Sequence, residues 1–429
     1  MKKVGIALLG LGTVGGGTYR IIQKNHEMIK KSEGIDLEIK CVLERNMDRC
    51  RELGVDESIV STDIERVVND PEIKIVAEFF GGIEPARTFL IKCLLAGKSI
   101  VTANKEMFSK HWHELEDAAR KGKAGLYFEA SCVGGVPIIR TLQESMQGNN
   151  IKSLKGIING TTNFILSKMS DTGADYAETL KEAQELGYAE ANPSADVDGF
   201  DAMYKLSILS SLAFRKKVPL DIIYREGISN ISVEDINYGK EFGLTLKLLG
   251  IAKQHEDGRV EARVHPVFIP NEHPLATVKG SFNSVFIEGD AVGDIMLYGR
   301  GAGDLPTGSA IVSDIVYAAG QKTHKLSCFK NNGLHIPNRE FVRDFESEYY
   351  IRMTLKEEAG VLSEVSGVFG KSGISIRSVI QKGEVSADGN VTIILETDLA
   401  TESAIEKAMR KINKLSSVVA VNSIIRIEK

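Results

Sequence analysis

The residues best placed to do chemistry lie near the start of the chain. Gly10-Leu11-Gly12-Thr13-Val14-Gly15 is a G-x-G-x-x-G run directly behind the apolar stretch 4–9. In such a run the first glycine permits a tight turn, the second lets backbone approach a pyrophosphate, and the third lets helix and strand pack closely. The N-terminus of the following helix then attracts the phosphates. The chemistry implied is binding of a dinucleotide. At the end of the next apolar stretch, Glu44 and Arg45 point in opposite directions. Glu44 could accept from a ribose 2′-hydroxyl, which favours NAD; Arg45 could pair a 2′-phosphate, which favours NADP. The bidentate geometry of a guanidinium tilts the reading to NADP. A second candidate pair is Asp201 and Lys205, four residues apart and so on one face of a helix. By spacing alone the pair reads as an exposed surface contact.

The five cysteines (Cys41, Cys50, Cys93, Cys132 and Cys328) are odd in number and match no zinc or disulfide spacing. A reducing compartment is the simple reading. Cys132 would serve as a nucleophile, as in an acylating semialdehyde dehydrogenase, only with an activating base or cation beside it. No histidine is near it in sequence. The net charge of -5, with scattered lysines and arginines, gives no electrostatic case for nucleic acid. Met1-Lys2-Lys3 before an apolar run imitates a signal peptide, but glycines at 10, 12, 15, 16 and 17 interrupt it. No stretch is long and apolar enough to span a bilayer. A cytoplasmic protein without a membrane partner is expected.

Positioning these groups requires a particular order of elements. Residues 4–9, Leu37–Leu43, Ile73–Phe80 and Ser99–Thr102 read as strands separated by helical patterns, which means βαβ units and a parallel sheet. This Rossmann-type, doubly wound α/β domain is expected over residues 1–130. An α+β domain follows over 131–325, with helices at Tyr176–Leu186, Ala202–Ala213 and Ser309–Ala319 and strands at Arg263–Ile269 and Ser284–Glu288. Residues 326–346 read as a linker, with a turn at Asn331-Asn332-Gly333. In the tail, 347–429, strands at Tyr349–Leu355, Ile374–Gln381, Val391–Thr397 and Val418–Ile427 alternate with two apolar helix stripes, and Gly383 and Gly389 sit near a turn. The order βαββαβ is ferredoxin-like.

Beyond the glycine run, a series of segments resembles the homoserine dehydrogenase family. They are Gly81-Gly82-Ile83-Glu84-Pro85-Ala86, Val101-Thr102-Ala103-Asn104-Lys105, Glu129-Ala130-Ser131, Gly156 to Asn163, Asp196 to Lys205, Tyr298 to Gly303 and Pro306 to Ala310. The match runs in order over about residues 1–325. The tail, with Glu358-Ala359-Gly360-Val361-Leu362, resembles an ACT domain that usually has Pro at position 359. The resemblance implies interconversion of L-homoserine and L-aspartate 4-semialdehyde with NADP or NAD, by a homodimer or homotetramer whose middle domain holds the substrate and the subunit contact. Reduction of an aldehyde needs a hydride, which the nicotinamide supplies, and a proton, which a lysine of lowered pKa can supply. The residues that match the family's are Lys105, Asp201 and Lys205 for catalysis, Glu190 for the substrate ammonium, and Lys105 and Gly303 beside the glycine run for the cofactor. By the same resemblance, the turn 129–137 would hold a monovalent cation, sodium, on the carbonyls of Glu129, Cys132, Gly134 and Val136. Val133 stands where the family usually has Gly, so this site depends on whether a β-branched residue can take the glycine conformation. Threonine is the expected effector at the ACT domain, with Gly360 letting backbone approach it. A sensor that had abandoned catalysis would be expected to lack Lys105, Asp201 or Lys205, and all three are present. None of these residues lies in the tail, which is therefore expected to be dispensable for building the active site.

Overall fold

The computed structural model describes residues 2–326, 329, 337–382 and 385–429. The expected turn at 331–333, Cys328 and Gly383 fall outside them. Six parallel strands form the first sheet: β1 (Lys2–Leu9), β2 (Ile35–Leu43), β3 (Val60–Ser61), β4 (Ile73–Glu78), β5 (Ser99–Thr102) and β6 (Leu126–Tyr127). Their spatial order is β3-β2-β1-β4-β5-β6, the doubly wound arrangement whose crevice lies at the carboxyl ends of the strands. The strands are apolar along nearly their whole length because helices cover both faces: Ile6, Ala7, Leu8 and Leu9 are fully buried. The helix α1 (Thr13–Glu33) follows the glycine run.

One helix changes partners relative to its place in the chain. Asp304–Gly320 lies far along the sequence, yet its Ala310, Ile311, Ile315 and Ala319 pack with Val4, Ile6, Leu8 and Ile22 of the first unit. The crossing with α1 is close enough that a Cβ on Gly17 would lie 2.2 Å from the Asp304 carbonyl. That contact accounts for the third consecutive glycine, which a phosphate loop does not need.

The middle region contributes an antiparallel sheet built from β7 (Ile151–Ile157) and the strands Leu244–Gln254, Val260–Pro270, Phe282–Gly289 and Gly293–Arg300. Helices Gly160–Thr172 and Phe200–Ala213 pack on it. The tail has the expected βαββαβ order. Its sheet is not free-standing, however. The last strand, Val418–Ile427, pairs in parallel with Val260–Pro270 through Val267–Arg426 and Phe268–Ile427, so the two sheets are continuous. Residues in the stretch read as a linker also join in: Phe341–Val342 pairs with Val260–Glu261, and Phe345 is buried. Among the described residues, no helix is long and apolar enough to cross a membrane.

Candidate active site

The glycine run adopts the geometry that its three roles demand. Gly10 has φ 96°, in the left-handed region. A Cβ on Gly15 would sit 2.2 Å from the Gly10 carbonyl, whereas one on Gly12 would meet nothing within 4 Å. The first and third glycines are thus needed by the turn and the packing, and the second faces open space at the N-terminus of α1. A dinucleotide pyrophosphate fits this cradle. Glu44 is engaged with backbone: its carboxylate accepts from the N–H groups of Leu11 (2.7 Å), Arg45 (2.8 Å) and Asn46 (2.9 Å). It ties the glycine turn to the end of β2. Arg45 is exposed beside it.

A cleft of about 740 Å³ runs from this cradle to the middle region. Thr13 and Val14 line it together with Lys105, Glu190, Asp201, Lys205 and Gly303. Residues far apart in the chain are therefore brought to one cavity; Arg45 is not in its lining. Lys105 opens the helix Lys105–Gly122, capped by Asn104, whose side chain accepts from the Met107 N–H. Lys205 and Asp201 are on the first two turns of Phe200–Ala213.

The spacing-based expectation of an exposed ion pair is not met. Asp201 and Lys205 are 7% and 8% exposed. Lys205 Nζ donates to Asp201 Oδ2 (2.7 Å) and to the Ile158 carbonyl (2.8 Å). Lys105 Nζ lies 3.1 Å from Asp201 Oδ1. Asn159 donates to Asp201 (2.9 Å) and to Asp196 (2.7 Å). Burial alone would raise the Asp201 pKa; the charges of Lys205 and Lys105 overcome this and hold its carboxylate far below the usual range. The same attraction raises Lys105, against the opposing effect of burial. The expectation of a lysine with lowered pKa therefore fails for Lys105, because the carboxylate between the two lysines outweighs desolvation.

Asp196 and Asn159 were missed as individual site residues, although both lie in segments that carry the family resemblance. Asp196 is raised by burial, with Asp201's charge adding to the effect. Glu190 is exposed at the cleft margin, and its carboxylate has no ion-pair partner among the described residues.

The turn 129–137 is held from both ends. The Glu129 carboxylate accepts from the N–H groups of Ile139 (2.7 Å) and Arg140 (2.8 Å), and its own N–H donates to Asp314 (2.9 Å). Val133 takes φ 57° and Gly134 φ 55°. The β-branched residue thus accepts the left-handed conformation, at a cost of order 1–3 kcal/mol, with its side chain fully buried in the core. Gly134 has no such latitude, since a Cβ there would lie 2.4 Å from the Gly301 carbonyl. Cys132 is fully buried, and burial pushes its thiol up to about 12. Its Sγ is 3.8 Å from the Lys205 carbonyl. Burial and the raised pKa both work against a thiolate nucleophile at Cys132, as the acylating alternative would require.

The family model of homoserine dehydrogenase matches residues 137–316, that of the homoserine dehydrogenase NAD-binding domain residues 10–129, and that of the ACT domain residues 349–416. The homoserine dehydrogenase of Bacillus subtilis (strain 168) is 38% identical over 431 residues, covering 100% of this chain and 99% of its own. The crystal structure of a homoserine dehydrogenase from Thiobacillus denitrificans superposes with a TM-score of 0.92 at 39% identity, covering 100% of this chain and 99% of that one. A hyperthermophilic archaeal homoserine dehydrogenase in complex with NADPH superposes with a TM-score of 0.62 at 28% identity, covering 74% of this chain and 97% of that one.

Proposed function

The chain belongs to the homoserine dehydrogenase family, and from that premise we propose how its own residues carry out the interconversion of L-homoserine and L-aspartate 4-semialdehyde. The nicotinamide cofactor supplies or accepts the hydride. Lys205 donates a proton from Nζ to the oxygen of the aldehyde as that oxygen gains negative charge, and takes it back in the oxidation. A charged ammonium is the right form for this step, because the alkoxide that forms is far more basic than an amine. Asp201 fixes the ammonium groups of both lysines and favours the charged form of Lys105. Lys105 adds positive charge at the developing oxyanion, and together with the backbone at Gly303, which has φ 118°, it would hold the nicotinamide cofactor in the cleft. Glu190, exposed at the cleft margin, binds the substrate ammonium.

The observation that carries this reading is the convergence of two lysines on one buried carboxylate in the cleft that the glycine run opens into. The test is reduction of aspartate semialdehyde by Lys205→Ala. We expect kcat to fall at least ~100-fold, with the cofactor dissociation constant nearly unchanged. A variant within about threefold of the parent would remove Lys205 from proton transfer.

The reading extends to five finer points. NADP is the favoured cofactor, supported by the exposed Arg45 and by Glu44's commitment to backbone; Arg45→Ala should raise KM for NADPH more than for NADH. A monovalent cation, sodium by resemblance, sits on the carbonyls of Glu129, Cys132, Gly134 and Val136, supported by the left-handed backbone at Val133. The enzyme works in the cytoplasm, consistent with four buried, unbridged cysteines, as a homodimer or homotetramer in which the middle sheet presents its exposed Tyr298. Threonine acts through the ACT domain, where Gly360 has φ 96°.

A further inference from the structure

Glu78 closes β4 with its side chain wholly buried, and the family resemblance gives it no task. It lies between Leu9 of β1 and Thr102 of β5. One carboxylate oxygen accepts from the Phe80 N–H (2.6 Å), the other from the Thr102 hydroxyl (2.5 Å). The Thr102 hydroxyl in turn accepts from the Asn104 N–H (3.0 Å). The Asn104 amide donates to the carbonyls of Phe80 (3.2 Å) and Gly82 (2.7 Å), while its oxygen caps the helix that begins at Lys105. A single carboxylate thus joins the two strand ends that flank the cleft: the 80–82 loop after β4 and the Ala103-Asn104-Lys105 turn after β5.

We propose that Glu78 is a positioning residue for the hydride-transfer site, holding the loop after β4 and the helix start at Lys105 in register through Thr102 and Asn104. This rests on the role given to Lys105 above. The network is complete only with an ionised carboxylate. Every contact to Glu78 is a donor, and Thr102 can donate to it while accepting from Asn104. Once protonated, Glu78 must itself donate to Thr102, whose own O–H then loses its acceptor in a dry interior.

The state of the carboxyl is sensitive near neutrality. Burial pushes it up to about 7, opposed by the Thr102 hydroxyl, the Phe80 N–H and the Asn104 amide. The charged groups on the helices packed against this part of the sheet include Arg87 and Lys92 on Ala86–Leu95, Lys105 and Glu106 at the start of Lys105–Gly122, Glu129 on Glu129–Ser131, and Asp304 and Asp314 on Asp304–Gly320. None of them is among the groups that shift it. Protonation as the pH falls through about 7 therefore loosens the register of Lys105 with the 80–82 loop.

The experiment uses the full-length enzyme with Glu78→Gln and Thr102→Val, measured across about pH 6 to 9. Glutamine fixes the donor pattern of the protonated acid. Its kcat/KM should be about tenfold or more below the parent at the alkaline end, and it should lack the acid limb that the parent shows. NADPH affinity, read by fluorescence titration, should likewise stop varying with pH in this variant. Thr102→Val removes a donor that stabilises the carboxylate, so its acid limb should move to higher pH. A folded Glu78→Gln enzyme with the parent's profile overturns the proposal. If that variant does not fold, a Thr102→Val limb at the parent's position overturns it instead. Lys205→Ala decides the underlying mechanism separately, since it tests proton transfer without touching this network.

Discussion

Two clusters in this protein share a charge pattern and differ in purpose. At the floor of the cleft, Asp201 lies between Lys205 and Lys105, at 2.7 and 3.1 Å. At the junction of the middle and C-terminal sheets, Glu428 lies among Lys155 (3.0 Å), Lys253 (2.6 Å) and Arg263 (2.6 Å). Each carboxylate is held well below its ordinary range by the cations around it, against the opposing effect of burial. The difference is what lies beside them. The first cluster opens on a cavity, and its lysines keep a face toward anything bound there. The second is packed into protein around Glu428, with only Lys253 reaching toward solvent: Arg263 is fully buried, also contacts Glu261 (2.8 Å), and stacks over Phe345. A carboxylate among cations is therefore not in itself a sign of catalysis, because perturbed groups also occur in structural ion-pair networks. Access to a cavity separates the two cases.

The largest effect expected from this contrast is on stability at the junction. Glu428→Gln leaves three cations around a neutral group and should cost about 3–5 kcal/mol, as removal of one partner from a buried network does. The fraction that stays folded should retain kcat. Denaturant unfolding and turnover together check this; unchanged stability with lowered kcat would make the junction part of the catalytic machinery. The same reasoning revises what the sequence implied about the tail. Deleting it after about residue 330 removes Glu428 together with Arg352, which pairs with the buried Asp235 at 2.7 Å, so the shortened chain should be poorly stable rather than merely unregulated.

Acid titration sharpens the point. Glu428 is lowered from 4.5 to about 2. A carboxylate depressed in the folded state contributes stability that is present above its unfolded pKa and lost as the pH falls through the folded one. The parent's advantage over Glu428→Gln should thus shrink by about 3 kcal/mol between about pH 4.5 and 2. A gap that stays constant through this window would show that the charge on Glu428 is not what stabilises the junction.

Asp201→Asn should produce the converse result. Turnover should fall at least ~100-fold, about 2.7 kcal/mol in barrier, with a smaller change in melting temperature than Glu428→Gln causes. The lysines left behind at the cleft can be solvated by water in the cavity. If Asp201→Asn unfolds the protein as readily as Glu428→Gln does, the distinction between an open and a packed cluster fails.

Local signals carried much of the site. The glycine run and the four-residue step from Asp201 to Lys205 are contiguous, and backbone geometry turns each into a fixed local arrangement. For the same reason the βα alternation, the βαββαβ tail and its last strand, Val418–Ile427, could be read directly. Val133 shows where local reading stops short: its residue type argues against a left-handed backbone, and burial of its side chain in the surrounding core is what holds it there.

By itself, then, the sequence determined the elements, the dinucleotide cradle and the identities of the charged groups, since each depends on neighbours within a few residues. Only the tertiary structure decided which charges work. It buried the Asp201–Lys205 pair that spacing alone would leave on a surface, and brought Lys105 to it from another domain. It sent the helix Asp304–Gly320 back to the first sheet and closed the junction with residues 155, 253, 263 and 428. Apart from the four-residue step from Asp201 to Lys205, those contacts join points about a hundred residues or more apart in the chain. No periodicity records them, because burial and the strength of a charge pair are set by what packs around them and not by what precedes them.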